Sequence, residues 1–293
     1  MAVDAGTGAG QAPGRDATER LRCVVKLGGE VVGAAGELAI IAADLAALAQ
    51  GGAHIAVVHG GGAQASELSR RLGLEPRLLG GRRVTDEATL DVMKMVLAGK
   101  LNVDLCGALI AAGARPVGLH GASGPLIRAH KRPPRAISGA GPELVDLGHV
   151  GDVDGFDLAL LETLWSGGWL PVIATLGADP VTGVAYNING DLIGNQLAAA
   201  LRADKLLLVT STAGVLADVK DPASRIAHLS AAEARAAIAD GRISGGMIPK
   251  LEESLATLES GVGEIQILGR LGPGDLVRAV HSPGLVGTAL SRA

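Results

Sequence analysis

Beyond residue 20 the chain alternates short apolar runs with longer stretches of helical periodicity. Residues 22–27 (RCVVKL) form a compact run that stops at Gly28-Gly29, and 55–59 form a second that stops at Gly60-Gly61-Gly62. Between them apolar residues recur at Leu38, Ile41, Leu45 and Leu48, the spacing of one helix face over 35–49. A helix is expected after the glycine triplet. Thr85 or Asp86 then stands ready to cap a long pattern with Leu90, Met93, Val96, Leu97, Leu101, Leu105 and Leu109 on one side. Further strands are predicted at 115–120, 170–174, 205–209 and 264–268, with helices at 191–203, 231–240, 249–260 and 274–281. Strands alternating with helices imply an α/β fold whose parallel sheet is covered on both faces. In such a sheet ligands bind at loops leaving the carboxyl ends of the strands, and both glycine clusters sit there.

Two stretches depart from this rhythm. Residues 1–20 offer nothing to bury and read as a flexible tail. Residues 128–154 carry Arg128, Lys131, Arg132 and Arg135, then Pro133-Pro134, then Val145, Val150 and Val153. That string fits a β-hairpin or lid over the sheet edge as well as it fits a charged solvated loop.

Composition narrows the function classes. A length of 293 residues suits one large domain or two lobes, and 48% hydrophobic with 19% charged residues excludes a disordered or fibrous chain. Two Trp, one Tyr and one Phe leave the core to Ala, Val, Leu and Ile, and leave little for the stacking platforms that single-stranded nucleic acid needs. A net charge of -4 removes any general attraction to polyanions, so no nucleic-acid partner is expected. The longest apolar stretches, 38–48 with Asp44 inside and 105–114, are too short to span a bilayer. Neither a membrane partner nor a signal peptide is expected. Cys23 and Cys106 have no metal-binding spacing and read as thiols of a reducing, cytoplasmic compartment.

Five constellations carry chemistry. Lys26 precedes Gly28-Gly29 at a strand end, where an ammonium beside bare backbone N–H groups suits a transferring phosphoryl group. A lysine snorkelling from the strand is the plainer alternative. His59-Gly60-Gly61-Gly62 lets backbone amides approach an anion, although a tight strand-to-helix turn gives the same string and no Walker A sequence follows. His59 itself reads as structural. Arg82 and Arg83 lie in a glycine loop ahead of a capped helix, which suits bidentate carboxylate recognition or an ordinary surface arginine. In the segment 186–191, Asn187 and Asn189 offer amides, and Asp191 offers either a carboxylate to organise lysines or a helix N-cap. In 244–250 (SGGMIPK), Pro249 suits a first helical turn, whereas Lys250 opposes the macrodipole unless a phosphate sits at that helix end; an exposed lysine also fits.

In this order, Lys-x-Gly-Gly, His-Gly-Gly-Gly, Arg-Val-Thr-Asp, Asn-x-Asn-x-Asp and Gly-Gly-Met-x-x-Lys closely resemble the amino-acid kinase family, from Cys23 to Leu290 with a closing Gly287-Thr288. The resemblance implies an open three-layer αβα sandwich around a mostly parallel central sheet. Its N-terminal lobe, 21–178, would bind an acyl amino acid and its C-terminal lobe, 179–293, would bind ATP. Carried over motif by motif, Lys26 and Lys250 flank the transferring phosphoryl group and Asp191 orients both. Gly61 and Gly62 donate N–H groups near the reacting carboxylate, while Arg83 and Asn187 hold the α-carboxylate end. Gly28, Gly29, the loop Ser211, Thr212, Ala213, Gly214, Val215 and Leu216, and the group Arg242, Ile243, Ser244 and Gly245 would contact the nucleotide.

The chain departs from the family's usual pattern at Ser211, where the loop commonly carries Asp, at Ser123, and at Gly190, where alanine is more usual. Within the family the motifs look most like those of enzymes that use ATP to phosphorylate the side-chain carboxylate of N-acetyl-L-glutamate in arginine biosynthesis. The alternatives are a kinase for carrier-protein-linked aminoadipate or glutamate, with 128–135 as docking surface, and a non-catalytic amino-acid or nucleotide sensor. A carboxylate acceptor is already an anion and needs no general base, so positioning and charge neutralisation suffice. Mg²⁺ is expected to be held mainly by the nucleotide, with no metal ligands from the chain. Because 1–20 lacks the apolar residues of the helix that interlocks arginine-inhibited members into hexamers, a homodimer without arginine feedback is expected.

Overall fold

The computed structural model describes residues 20–137, 141, 143–218, 220–243 and 245–292. Apart from Arg20, the tail read at 1–20 lies outside the described residues, as does Ser244. Among the described residues the main sheet has eight strands: β1 (Arg22–Leu27), β2 (His54–His59), β3 (Pro116–Leu119), β4 (Leu170–Ala174), β5 (Lys205–Val209), β6 (His228–Ser230), β7 (Glu264–Leu268) and β8 (Thr288–Ser291). They lie in the order β6-β8-β7-β5-β1-β2-β4-β3. From β7 across to β3 every neighbour is parallel, whereas β8 runs antiparallel to β7 and parallel to β6.

Val24 and Val25, adjacent on β1, are fully buried in two different cores. Such strands face apolar layers on both sides, so they read as unbroken aliphatic runs rather than alternating ones. One core joins the helices Ala35–Gln50 and Asp275–His281 through Ile41, Leu45, Leu276 and Ala279. The other joins the helices Leu158–Ser166, Gly190–Leu201, Ala231–Ala239 and Met247–Glu259 through Leu161, Leu197, Ala234 and Leu255. The result is the expected αβα sandwich. Asp44, the polar intruder in an apolar helix, is 6% exposed and accepts from the N–H groups of Gly274 and Leu276, each at 2.9 Å, thereby capping the helix Asp275–His281 from across the core.

The long helical pattern holds, with two refinements. Asp86, not Thr85, is the N-cap and accepts from Thr89 N at 2.9 Å. The helix Glu87–Lys94 passes through a π-helical segment, Met95–Leu101, before Asn102–Ala111. Single π-turns are rare and recur at functional sites.

The described residues of 128–154 form a hairpin rather than a solvated loop. Ile127–Lys131 pairs antiparallel with Gly151–Phe156, and Leu176–Ala178 and Ala185–Asn187 complete a four-stranded sheet. Two of the segment's four basic residues, Lys131 and Arg132, have acidic partners, and Arg135 faces the cleft described below. Arg132 is 6% exposed and donates through Nε and Nη2 to Asp152 Oδ1, while Lys131 pairs with Asp146 and His130 with Asp154. Among the described residues no helix is long and apolar enough to cross a membrane.

Candidate functional site

The carboxyl ends of β1, β2, β4 and β5 deliver Gly28-Gly29, Gly60-Gly61-Gly62, Thr175 and Thr210 to one edge of the sheet. Three adjoining cavities run along that edge. The first, of about 320 Å³, is lined by Lys26, Gly29, Gly61, Gly62, Arg83, Asn187 and Asp191, with Met93, Leu147 and Val150 as apolar wall. The second, of about 430 Å³, shares Asp191, Arg82 and Arg132 with the first and adds Arg135, Lys250 and Glu253. The third, also about 430 Å³, shares Lys250 and is lined by Thr212, Gly214, Leu216, Ile243, Gly245 and Met247.

At the junction Asp191 holds two ammonium groups, Lys26 Nζ at 2.6 Å from Oδ1 and Lys250 Nζ at 3.3 Å from Oδ2. Asp191 is free to do so because it is not the N-cap that its position allowed. Asn189 caps the helix Gly190–Leu201, its Oδ1 accepting from the N–H groups of Asp191 at 2.7 Å and Leu192 at 3.3 Å. Burial alone would raise the Asp191 carboxyl, but Lys26 and then Lys250 outweigh it and hold the carboxyl below its ordinary value. The stem of Lys26 lies over a smooth helix face: a Cβ at Gly194 would stand 3.1 Å from Lys26 Cβ, and one at Gly190 3.3 Å from Lys26 Cε. Lys250 sits in the first turns of the helix Met247–Glu259, which begins two residues ahead of Pro249. Its unfavourable place on the dipole is offset by Asp191.

The acyl end is equally specific. Arg83, carried on the ribbon Leu78–Leu79 and Arg82–Arg83, donates from Nη2 to Gly62 O at 2.8 Å and to Ser66 Oγ at 2.6 Å, while its Nη1 is buried without a partner among the described residues. Burial, and then the neighbouring Arg70, lower its pKa, the mark of a cation short of counter-charge. Asn187 Nδ2 donates to the buried Thr85 Oγ1 at 3.1 Å, which fixes the amide against the cavity wall. A Cβ at Gly61 would collide with the side chains of Leu101 and Leu97 from the π-helical segment, so only glycine brings this backbone so close.

Of the nucleotide candidates, Thr212, Gly214, Leu216, Ile243 and Gly245 line the third cavity. Val215 is fully buried and gives its N–H to Thr288 Oγ1, so its side chain belongs to the core. Arg242 is exposed and turned onto Asp240. Ser211 and Ala213 are exposed beside the cavity lining, and Gly28 gives its N–H to Val209 O. Sequence reasoning passed over Glu253 and Thr175. Glu253 follows Lys250 by one helical turn, a spacing that could have flagged it, and its carboxyl is raised by burial and then by Asp191. Among the described residues no group of three or more His, Cys, Asp or Glu side chains could hold a metal ion.

Chemically, the arrangement offers amides and a guanidinium for a carboxylate at one end, an apolar slot with threonines at the other, and paired ammonium groups between them. Residues 21–269 match the amino acid kinase family. An acetylglutamate kinase of Sorangium cellulosum (strain So ce56) is 61% identical over 280 residues, covering 96% of this chain and 97% of that protein. An acetylglutamate kinase of Anaeromyxobacter sp. (strain K) is 60% identical over 267 residues, 91% of this chain and 97% of its own length. The N-acetylglutamate synthase of Neisseria gonorrhoeae, solved with coenzyme A and N-acetyl-glutamate, is similar in fold with a TM-score of 0.77 at 25% identity; the match covers 93% of this chain and 60% of that one.

Proposed function

The chain belongs to the amino acid kinase family, and from that premise we propose that it transfers the γ-phosphoryl group of ATP to the side-chain carboxylate of N-acetyl-L-glutamate, giving N-acetylglutamyl 5-phosphate for arginine biosynthesis. The observation that carries this reading is the meeting of Lys26 and Lys250 on Asp191, where the anion-binding cavity joins the apolar one. Near-full-length identity to acetylglutamate kinases supports the substrate.

In this reading the lobe 21–178 holds the acyl amino acid and 179–293 holds the nucleotide. Arg83 and Asn187 take the α-carboxylate, and Gly61 and Gly62 turn amides toward the reacting carboxylate. A carboxylate oxygen forms a bond to the γ-phosphorus as the bond to the β,γ-bridging oxygen breaks, and ADP leaves with that electron pair. No proton moves. Lys26 and Lys250 neutralise charge on the moving group from two sides, and Asp191 keeps them apart and aimed. ATP enters as its Mg²⁺ complex, the metal held by phosphate oxygens, since the Asp191 carboxylate is committed to the two lysines. The free thiols Cys23 and Cys106 support a cytoplasmic location.

Hydroxylamine trapping tests the activity. With MgATP, N-acetylglutamate is expected to yield hydroxamate, and glutamate or aspartate is not; product only from the free amino acids would overturn the substrate, and none from any of the three would favour a sensor. A homodimer is the assembly that best fits the molecule's surface, because β3 is an open edge strand and Met95, Val103 and Ile110 expose apolar side chains on the neighbouring helical segments. A light-scattering mass of two chains is the expected result, and a mass of six would contradict it.

A further inference from the structure

We infer that Asn102 and His59 are positioning residues, which set the direction in which the Gly61 N–H is aimed into the cleft. The inference rests on the kinase reading above and concerns how its amide donor is held. It begins at a group with only one possible polarity. Val172 O is a carbonyl and can only accept, so the Asn102 atom 3.0 Å from it is the amide nitrogen. That same Nδ2 lies 3.1 Å from His59 Nε2 and has a second hydrogen to give. His59 Nε2 is therefore the bare, accepting nitrogen, and the ring proton sits on Nδ1. Nδ1 is 3.2 Å from Gly60 O, again an obligate acceptor, so the proton closes the chain on that carbonyl.

A trans peptide carries its C=O and its next N–H on opposite sides. Holding Gly60 O toward the interior turns the Gly61 N–H the other way, where Gly60, Gly61 and Gly62 line the first cavity. With no side chain to restrain it, this peptide depends on its hydrogen bonds for its orientation.

The surroundings suit a fixed polarity. His59 is 0% exposed and Asn102 5%. Burial, only partly opposed by the bond to Gly60, pushes the imidazole down to about 4, so it stays neutral and keeps a single tautomer. Asn102 Oδ1, left over, takes the Cys106 thiol at 3.8 Å. The π-helical segment contributes as well: it ends at Leu101, which packs on Gly61, and hands directly on to Asn102, which holds His59.

The test combines nitrogen-15 NMR of the histidine rings with steady-state kinetics of wild type and Asn102→Leu, each normalised to the folded fraction. In the wild type the His59 proton is expected on Nδ1. In Asn102→Leu the proton is expected to spread to Nε2, and kcat to fall about a hundredfold, the usual scale for losing one aimed amide donor, with KM for MgATP unchanged. An Nε2 proton in the wild type overturns the inference without need of any variant. So does a folded Asn102→Leu enzyme whose proton stays on Nδ1 or whose kcat is unaltered. A wild type that forms no acyl phosphate sinks the kinase reading and this inference with it, whereas an active wild type with the proton on Nε2 sinks the inference alone.

Discussion

Replacing Asp191 with Asn is expected to cut kcat about a thousandfold, ~4 kcal/mol of transition-state stabilisation, in an enzyme that still binds MgATP. The carboxylate separates and aims two ammonium groups in a site where the side chains of Lys26, Lys250 and Asp191 are only 12%, 18% and 25% exposed. An amide of the same shape can accept from one lysine but carries no charge. The two cations would then repel each other where water screens them poorly, and would relax away from the line of transfer. Triphosphate can still attract them, so KM for MgATP is expected to hold or fall while kcat collapses. Steady-state kinetics separates this from simple loss of binding; a raised KM with kcat intact would show that Asp191 serves only substrate affinity. The pH dependence has a definite sign. A carboxyl held below its ordinary value stabilises the folded state above that value, and the contribution is lost as pH falls through the folded pKa. The wild type should therefore lose this stabilisation only in acid, below the ordinary carboxylate range, and the Asn variant should lack that part of the acid limb.

The fold was largely legible because its strands are bounded by chemistry that a reader can see. Arg22–Leu27, Leu170–Ala174, Lys205–Val209 and Glu264–Leu268 are aliphatic runs closed by glycine, threonine or a polar turn, and each forms a strand with the predicted limits. The strand His228–Ser230 has only three residues, too few for a period to stand out, and the helix Leu158–Ser166 (LALLETLWS) is apolar around most of its circumference, so no single face stands out. The π-helical turn was invisible for a different reason: Val96, Leu97 and Leu101 remain buried on the same side, so the apolar pattern does not register the extra residue.

The site was legible through the order of its motifs rather than through any one of them. Lys250 and Asp191 lie 59 residues apart, and nothing local announces that they meet. Asn189 and Asp191 are both good capping types two positions apart, and the choice falls to Asn189 because its backbone is the extended residue ahead of the helix, with φ -61° and ψ 130°. Arg132 stands in a run with Arg128, Lys131 and Arg135, and its partner, Asp152, comes from the facing strand of a hairpin. Sequence shows residue types and spacing, and cross-strand charge pairing is neither.

The second large effect is expected at Lys250. In Lys250→Ala, kcat should fall by two to three orders of magnitude, roughly 3–4 kcal/mol, with only a small change in N-acetylglutamate binding. The reason is positional. Lys250 lines the second and third cavities and not the first, where the groups suited to the acyl amino acid stand. Its charge matters most when negative charge is spread over the group in transit between donor and acceptor, so its loss is felt in the transition state more than in either ground state. Folding should suffer less than catalysis, because Asp191 keeps Lys26 at 2.6 Å and is not left unpaired. Lys250→Arg separates charge from geometry: a guanidinium restores the charge but not the compact ammonium seated 3.3 Å from Asp191 Oδ2, so recovery should be partial. The measurement is kcat and KM for both substrates in all three proteins. If Lys250→Ala raised KM for N-acetylglutamate while leaving kcat near wild type, the lysine would be a binding group of the acyl site, and the division of labour along the cleft would have to be redrawn.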